Sequence, residues 1–130
     1  METFPAAVPE IPVADLDVAV AYYQNQLGFT IDWRGAGDGI AGISKGHCRL
    51  FLTDRPFRER FGNAPPVLVW LNLDSRQAVD DLHETWRRSG ARIVSPPESK
   101  PWKLHEFTVA DVDGNLFRVF YDFSRETRTG

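Results

Sequence analysis

What most limits the folds open to this chain is an internal repeat: the order strand, helix and three strands can be read along it twice. In the first copy, about residues 7–53, an apolar run ends at Val13, and Asp15 offers its carboxylate as a helix cap. Leu16, Val20, Tyr23 and Leu27 then recur at helical spacing until Gly28 stops the helix. Residues 29–33, 39–44 and 48–53 follow as strands, separated by the glycine-rich "GAGDG" and by Lys45-Gly46. A charged, proline-ended connection, residues 54–66, leads to the second copy at about 67–123. There "VLVWLNL" reads as a strand, and Asp74 with Gln77 three residues later reads as a capping-box start. Val79, Leu82 and Trp86 form the apolar stripe of a helix that Gly90 ends, and strands at 91–95, 104–110 and 116–123 complete the copy. Superposed, the copies match Val20 with Val79, Tyr23 with Leu82 and Gly28 with Gly90. The expectation is one α+β domain spanning residues 1–130 and built of two βαβββ repeats.

The last two strands say most about a site. Asp113-Gly114, a pair that tolerates positive φ, joins them as an antiparallel hairpin. Alternation then sets Leu116, Arg118 and Phe120 on one face and Phe117, Val119 and Tyr121 on the other. One face packs on a helix and the other walls a cleft, which makes Arg118 a charge on that wall. Trp86, on the helix stripe, belongs to the core, and Tyr22 and Tyr23 serve packing.

Bulk properties exclude several function classes. With 42% hydrophobic and 25% charged residues in 130, the chain can bury a core. No apolar run approaches the roughly 18 residues that span a bilayer, and the first residues lack a secretion signal. A cytoplasmic protein without a membrane partner is expected. A net charge of −3 with dispersed arginines leaves no footprint for nucleic acid. The single cysteine, Cys48, excludes an internal disulfide and reads as a small buried hydrophobe. His47 falls in a hairpin turn, His83 on the polar side of the second helix, and His105 on the helix-packed side of its strand, so the histidines assemble no ligand cluster.

The runs "PVADLDVAVAYYQNQLGFTIDWR" and "FTVADVDGNLFRVF" resemble the vicinal-oxygen-chelate superfamily, which includes glyoxalase I, extradiol dioxygenases and the fosfomycin- and bleomycin-resistance proteins. That family shows a helix ending in Leu-Gly-Phe and an Asp-Pro-Asp-Gly-Asn turn, here Asp-Val-Asp-Gly-Asn, and the resemblance covers about residues 8–122. It implies that the two units curl a mixed sheet around a cleft with the helices outside. Metal-using members draw ligands from the first and last strands of each unit, typically His or Gln, Glu, His and Glu. The matching positions here hold Val8, Phe51, Leu68 and Arg118. The first three offer no lone pair and the arginine repels a cation, so neither a metal nor another cofactor is expected.

Around such a cleft, parity assigns the lining to Leu68, Trp70 and Asn72, to Arg49, Phe51 and Thr53, to Val8 and Glu10, and to Trp102, Leu104 and Glu106, with Trp33 at the rim. Rings with a few charges suit a flat, partly polar ligand. "LVWLNLD" and "KPWKLHEFTVADVDGN" are most similar to the metal-free bleomycin-resistance proteins, acidic homodimers that hold cationic glycopeptide drugs in grooves at the subunit interface. The resemblance implies that Trp70 and Trp102 stack on a drug, with Trp33, Phe51 and Glu106 as further contacts. Leu68, Asn72 and Arg118 complete the expected ligand-binding set. Two plainer readings stand beside it: Trp70 and Trp102 could anchor a dimer with no ligand, and Glu10 could simply pair with Arg118.

The expected function is therefore a metal-free homodimer that sequesters an aromatic or glycopeptide small molecule, bleomycin-like in the family's terms. The alternative is a metal-independent lyase or isomerase on the same scaffold, with Glu10 or Glu106 as general base and Arg118 stabilising a developing oxyanion. A third reading is a regulatory dimer without a small ligand.

Overall fold

The computed structural model describes residues 6–61 and 65–126, so residues 62–64 of the connection lie outside the description. The chain divides into two compact units, Met1–Pro66 and Val67–Gly130. The first holds β1 (Glu10–Pro12), α1 (Leu16–Asn25), β2 (Thr30–Arg34), β3 (Ile40–Lys45), β4 (Cys48–Thr53) and α2 (Arg55–Phe61). The second holds β5 (Leu68–Asn72), α3 (Arg76–Arg88), β6 (Arg92–Ser99), β7 (Leu104–Ala110) and β8 (Leu116–Asp122). Each unit has one four-stranded mixed sheet, ordered β1-β4-β3-β2 in the first and β5-β8-β7-β6 in the second. In both, the opening strand lies parallel to the closing one, and the remaining pairs are antiparallel. The class is α+β, and the strand, helix, three-strand order occurs in each unit.

Helix placement follows from caps and stripes. The Asp15 carboxylate accepts from the Val18 amide at 3.1 Å and starts α1. That helix buries Leu16, Ala19, Val20, Tyr22 and Tyr23, while the sheet contributes the buried Ile11, Ala41, Ile43, Leu50 and Leu52. In the second unit the cap is Ser75, not Asp74: its hydroxyl accepts from the Ala78 amide at 3.0 Å. Gln77 donates forward to Asp81 at 2.7 Å instead of closing a capping box. Trp86 is buried and meets Phe107 edge-on, with ring centres 5.9 Å apart. His83 is not on the polar side; it packs against the same Phe107 at 5.3 Å, because it follows Val79 by four residues and precedes Trp86 by three.

Two stretches differ from the sequence expectation. The connection contains α2, capped by Asp54, whose carboxylate accepts from the Phe57 amide at 3.0 Å. Pro56 lies in the first turn, where its missing N–H costs nothing. Arg58 of this helix is buried and donates to the carbonyls of Val13, at 3.1 Å, and Thr53. β6 continues past residue 95 to Ser99, through Pro96 and Pro97. It can do so because it is an edge strand with register shifts after Ile93 and after Ser95.

The β7–β8 turn is organised by Asp111 rather than by the Asp113-Gly114 pair. Among the described residues Gly114 has φ +85°, and Lys103 is the one non-glycine residue with positive φ, so Asp113 keeps ordinary geometry. The buried Asp111 carboxylate accepts from the amides of Asp113 and Asn115 at 2.8 and 2.9 Å, and from the Asn115 side chain at 2.8 Å. Asn115 in turn accepts from the Val67 amide at 2.8 Å, which ties the turn to the start of β5.

Candidate ligand-binding site

In the second unit Phe107, Val109, Phe117 and Val119 are buried on the helix-bearing face, so the alternate residues form the opposite face. Strand register orders that face in rows. Trp70, Arg118 and Thr108 stand side by side on β5, β8 and β7; Asn72, Phe120, Glu106 and Glu98 form the next row, reaching β6. The face mixes rings with polar groups: Leu68, Trp70 and the nearby Trp102 are 42%, 43% and 58% exposed, while Glu106 and Thr108 are buried.

Each indole is held by named neighbours. Trp70 meets the edge of Phe120 with centroids 5.6 Å apart, and the Arg118 guanidinium carbon lies 5.1 Å from its ring centre. Trp102 donates through Nε1 to Glu106 at 2.8 Å, and Glu106 is only 4% exposed. The Lys100 ammonium lies 5.8 Å from the Trp102 ring and pairs with Glu98 at 2.8 Å. That hydrogen bond, with the attraction of the lysine charge, lowers the Glu98 carboxyl from its ordinary value. Lys103, at φ +74°, donates its amide to the Lys100 carbonyl at 3.0 Å and shapes the turn that carries Trp102.

In the first unit Glu10, Phe51, Gly42 and Trp33 share a row. Trp33 lies over Gly42, where a Cβ would come within 2.5 Å of the indole, and its ring centre is 5.2 Å from that of Phe51. Arg49 stands 5.8 Å from the Phe51 ring. Glu10 accepts from the Thr53 hydroxyl at 3.0 Å, and Thr53 is fully buried, so it props Glu10 instead of lining an open surface. Asn72 is likewise engaged, donating to the Leu73 and Phe120 carbonyls at 3.1 and 3.4 Å.

The expected ligand set thus falls into two groups, Trp33 and Phe51 in the first unit, with the general-base candidate Glu10 in their row, and Leu68, Trp70, Asn72, Trp102, Glu106 and Arg118 in the second. Each charge is met inside its own unit, Glu10 by a hydroxyl and Arg118 by an indole. The sequence reading missed Lys100 as a neighbour of Trp102, although "KPWK" places it two residues away. A hollow of about 360 Å³ also lies in the first unit, lined by residues including Asp15, Asp17, Arg34 and Asp54. Its acids are occupied: Asp15 and Asp54 cap helices and Asp17 binds Arg34 at 2.6 Å. The positions at which the family resemblance would seat metal ligands carry Val8, Phe51, Leu68 and Arg118, which do not fit a cation. Among the described residues no group of three or more His, Cys, Asp or Glu is arranged to hold one.

The family model described as "Glyoxalase/Bleomycin resistance protein/Dioxygenase superfamily" matches residues 6–119. A bleomycin resistance protein of Geobacillus stearothermophilus is 26% identical over 128 residues, covering 88% of this chain and 94% of that protein. A solved bleomycin-binding protein complexed with bleomycin aligns with a TM-score of 0.71 at 25% identity, over 91% of this chain and 98% of the other. A lactoylglutathione lyase from Agrobacterium tumefaciens aligns with a TM-score of 0.73 at 19% identity, over 95% and 98%. A drug binder and a lyase match about equally well, so the backbone decides the fold and leaves the chemistry to the side chains.

Proposed function

Since the chain belongs to the glyoxalase/bleomycin resistance protein/dioxygenase superfamily, we propose that it is a metal-free binding protein of the bleomycin-resistance type, sequestering an aromatic or glycopeptide small molecule without catalysis. One observation carries this reading: two half-exposed indoles, Trp70 on β5 and Trp102 in the turn before β7, are held by Arg118 and Glu106, two residues of one sheet face. Rigid, pre-placed rings offer stacking area at little cost in side-chain entropy. The bleomycin-resistance relatives support a drug of that kind as the ligand.

The same open face supports a homodimer with the ligand in a groove at the subunit interface, because exposed tryptophan and leucine on a sheet face favour a partner surface. Among the described residues no helix is long and apolar enough to cross a membrane, and a cytoplasmic site of action completes the proposal. The metal-independent lyase or isomerase reading has one observation in its favour: Glu106 and Arg118 reach the same face in adjacent rows.

Calorimetric titration of the metal-stripped protein with bleomycin tests the proposal. The expected result is saturable micromolar binding with no product formed, weakened about tenfold or more in Trp102→Ala. No heat at micromolar protein, or turnover of the added compound, would sink the sequestration reading. Sedimentation at the same concentration tests the dimer.

A further inference from the structure

Among the described residues of this face neither Arg118 nor Glu106 enters an ion pair, but Glu106 accepts a hydrogen bond from the Trp102 indole, whereas Arg118 has an enclosed nitrogen without one. It is in none of the ion pairs found among the described residues. Its Nε is enclosed and has no hydrogen-bond partner, whereas neither terminal nitrogen is among the enclosed unpaired atoms. The neighbouring carboxylate, Glu106, is in the adjacent row and is turned to the Trp102 indole. The Trp70 ring beneath the guanidinium is attractive to a cation but accepts no conventional hydrogen bond. With the face uncovered, the outer edge of the guanidinium is left to solvent water. Anything that covers the face removes that water, and a covered guanidinium without an acceptor is strongly unfavourable.

Resting on the reading of this face as a ligand site, we infer that its ligand is a flat aromatic ring bearing an oxyanion, a carboxylate or phosphate, which Arg118 takes end-on. Nη1 and Nη2 are the nitrogens that remain approachable, and their fork matches two oxygens of such a group. Trp70 and Phe120, in edge-to-face contact at 5.6 Å, flank the arginine and offer the ring its stacking surface. A ligand with no acceptor at this point would leave Arg118 covered and unpaired, and an oxyanion is the acceptor that serves the fork best, which narrows the aromatic class of the proposed function to its acidic members.

Calorimetry of the full chain with the matched probes 2-naphthoate, 2-naphthamide and 2-naphthyl phosphate separates the alternatives. Wild-type protein binds one of the two anions about tenfold more tightly than the amide, a difference of about 1.4 kcal/mol. Which anion wins tells carboxylate from phosphate, and added salt shrinks the preference. Arg118→Met abolishes the preference, so that acid and amide bind with equal affinity, and Arg118→Lys, a second variant that keeps the charge but loses the fork, retains part of it. Equal affinity of acid and amide for the wild type, or a preference that survives Arg118→Met, overturns the inference. Dissociation of a dimer by Arg118→Met with no change in probe preference also overturns it, by assigning the arginine to a second copy of the chain. If bleomycin or the amide binds but neither anion is preferred, this inference alone falls. If bleomycin and all three probes give no heat, the binding reading falls with it.

Discussion

Replacing Asp111 by alanine tests the turn on which β8, and therefore Arg118, depends. Asp111 is fully buried and accepts at least three hydrogen bonds, two from backbone amides at 2.8 and 2.9 Å and one from the Asn115 side chain at 2.8 Å. Hydrogen bonds to a charged group net about 1.5–3 kcal/mol each. Alanine also removes the desolvation cost of the buried carboxylate, so the expected loss is about 3–5 kcal/mol, at the low end of three such bonds. In thermal unfolding followed by circular dichroism this lowers Tm by on the order of 10 °C or more. Asp111→Asn keeps an acceptor for the two amides but turns a donor toward Asn115, and loses about half as much. The damage should reach β5, because Asn115 also binds the Val67 amide at 2.8 Å. Urea titration gives the free energy, and a loss below about 1 kcal/mol for the alanine variant would refute the assignment of Asp111 as the organiser of the turn.

Three further outcomes are expected. Trp86→Ala, at a site 2% exposed and packed on Phe107, costs about 3–5 kcal/mol in urea unfolding. Gly42→Ala brings a Cβ within 2.5 Å of the Trp33 indole; because that ring is 39% exposed it swings away, so a red shift of tryptophan emission accompanies a stability change of less than about 1 kcal/mol. The Arg87 hydrogen bond, reinforced by Arg88, holds the Glu84 carboxyl at about 2, below its ordinary 4.5. Because the folded-state value is the lower one, the stability Glu84 adds is present above about 4.5 and disappears as pH falls toward about 2. The difference in Tm between wild type and Glu84→Gln is therefore constant near neutrality and closes in acid.

Much of the fold was legible because it is written in period. Val79 and Trp86 repeat at helical spacing, and Phe117 and Val119 alternate with Arg118, so helix faces and strand faces could be told apart without coordinates. Where a single residue decided the outcome, the reading slipped. Ser75 and Asp74 both make good caps, and only the backbone shows that the amide to be capped belongs to Ala78. Asp54 and Pro56 carried a legible helix start inside the connection, but charged neighbours disguised it as a loop. His83 is polar by type, yet its spacing from Val79 and Trp86 puts it against Phe107.

The candidate site divides along the same line. Parity placed Trp70, Glu106 and Arg118 on one face, since a one-residue slip would turn Glu106 and Arg118 toward the helix and Phe107 and Phe117 away from it. The sequence by itself determined the repeat and which residues share a strand face, because those depend on spacing along one strand or helix. That each repeat closes its own mixed sheet, first strand parallel to last, depends on pairing that the structure shows. What Arg118, Glu106 and Glu10 each bind was decided only by the tertiary structure. A side chain's partner depends on which strands stand beside it and which atoms reach first. Thr53 reaches Glu10, the Trp102 indole reaches Glu106, and for Arg118 the fold brings up the Trp70 ring and leaves its Nε without a hydrogen bond.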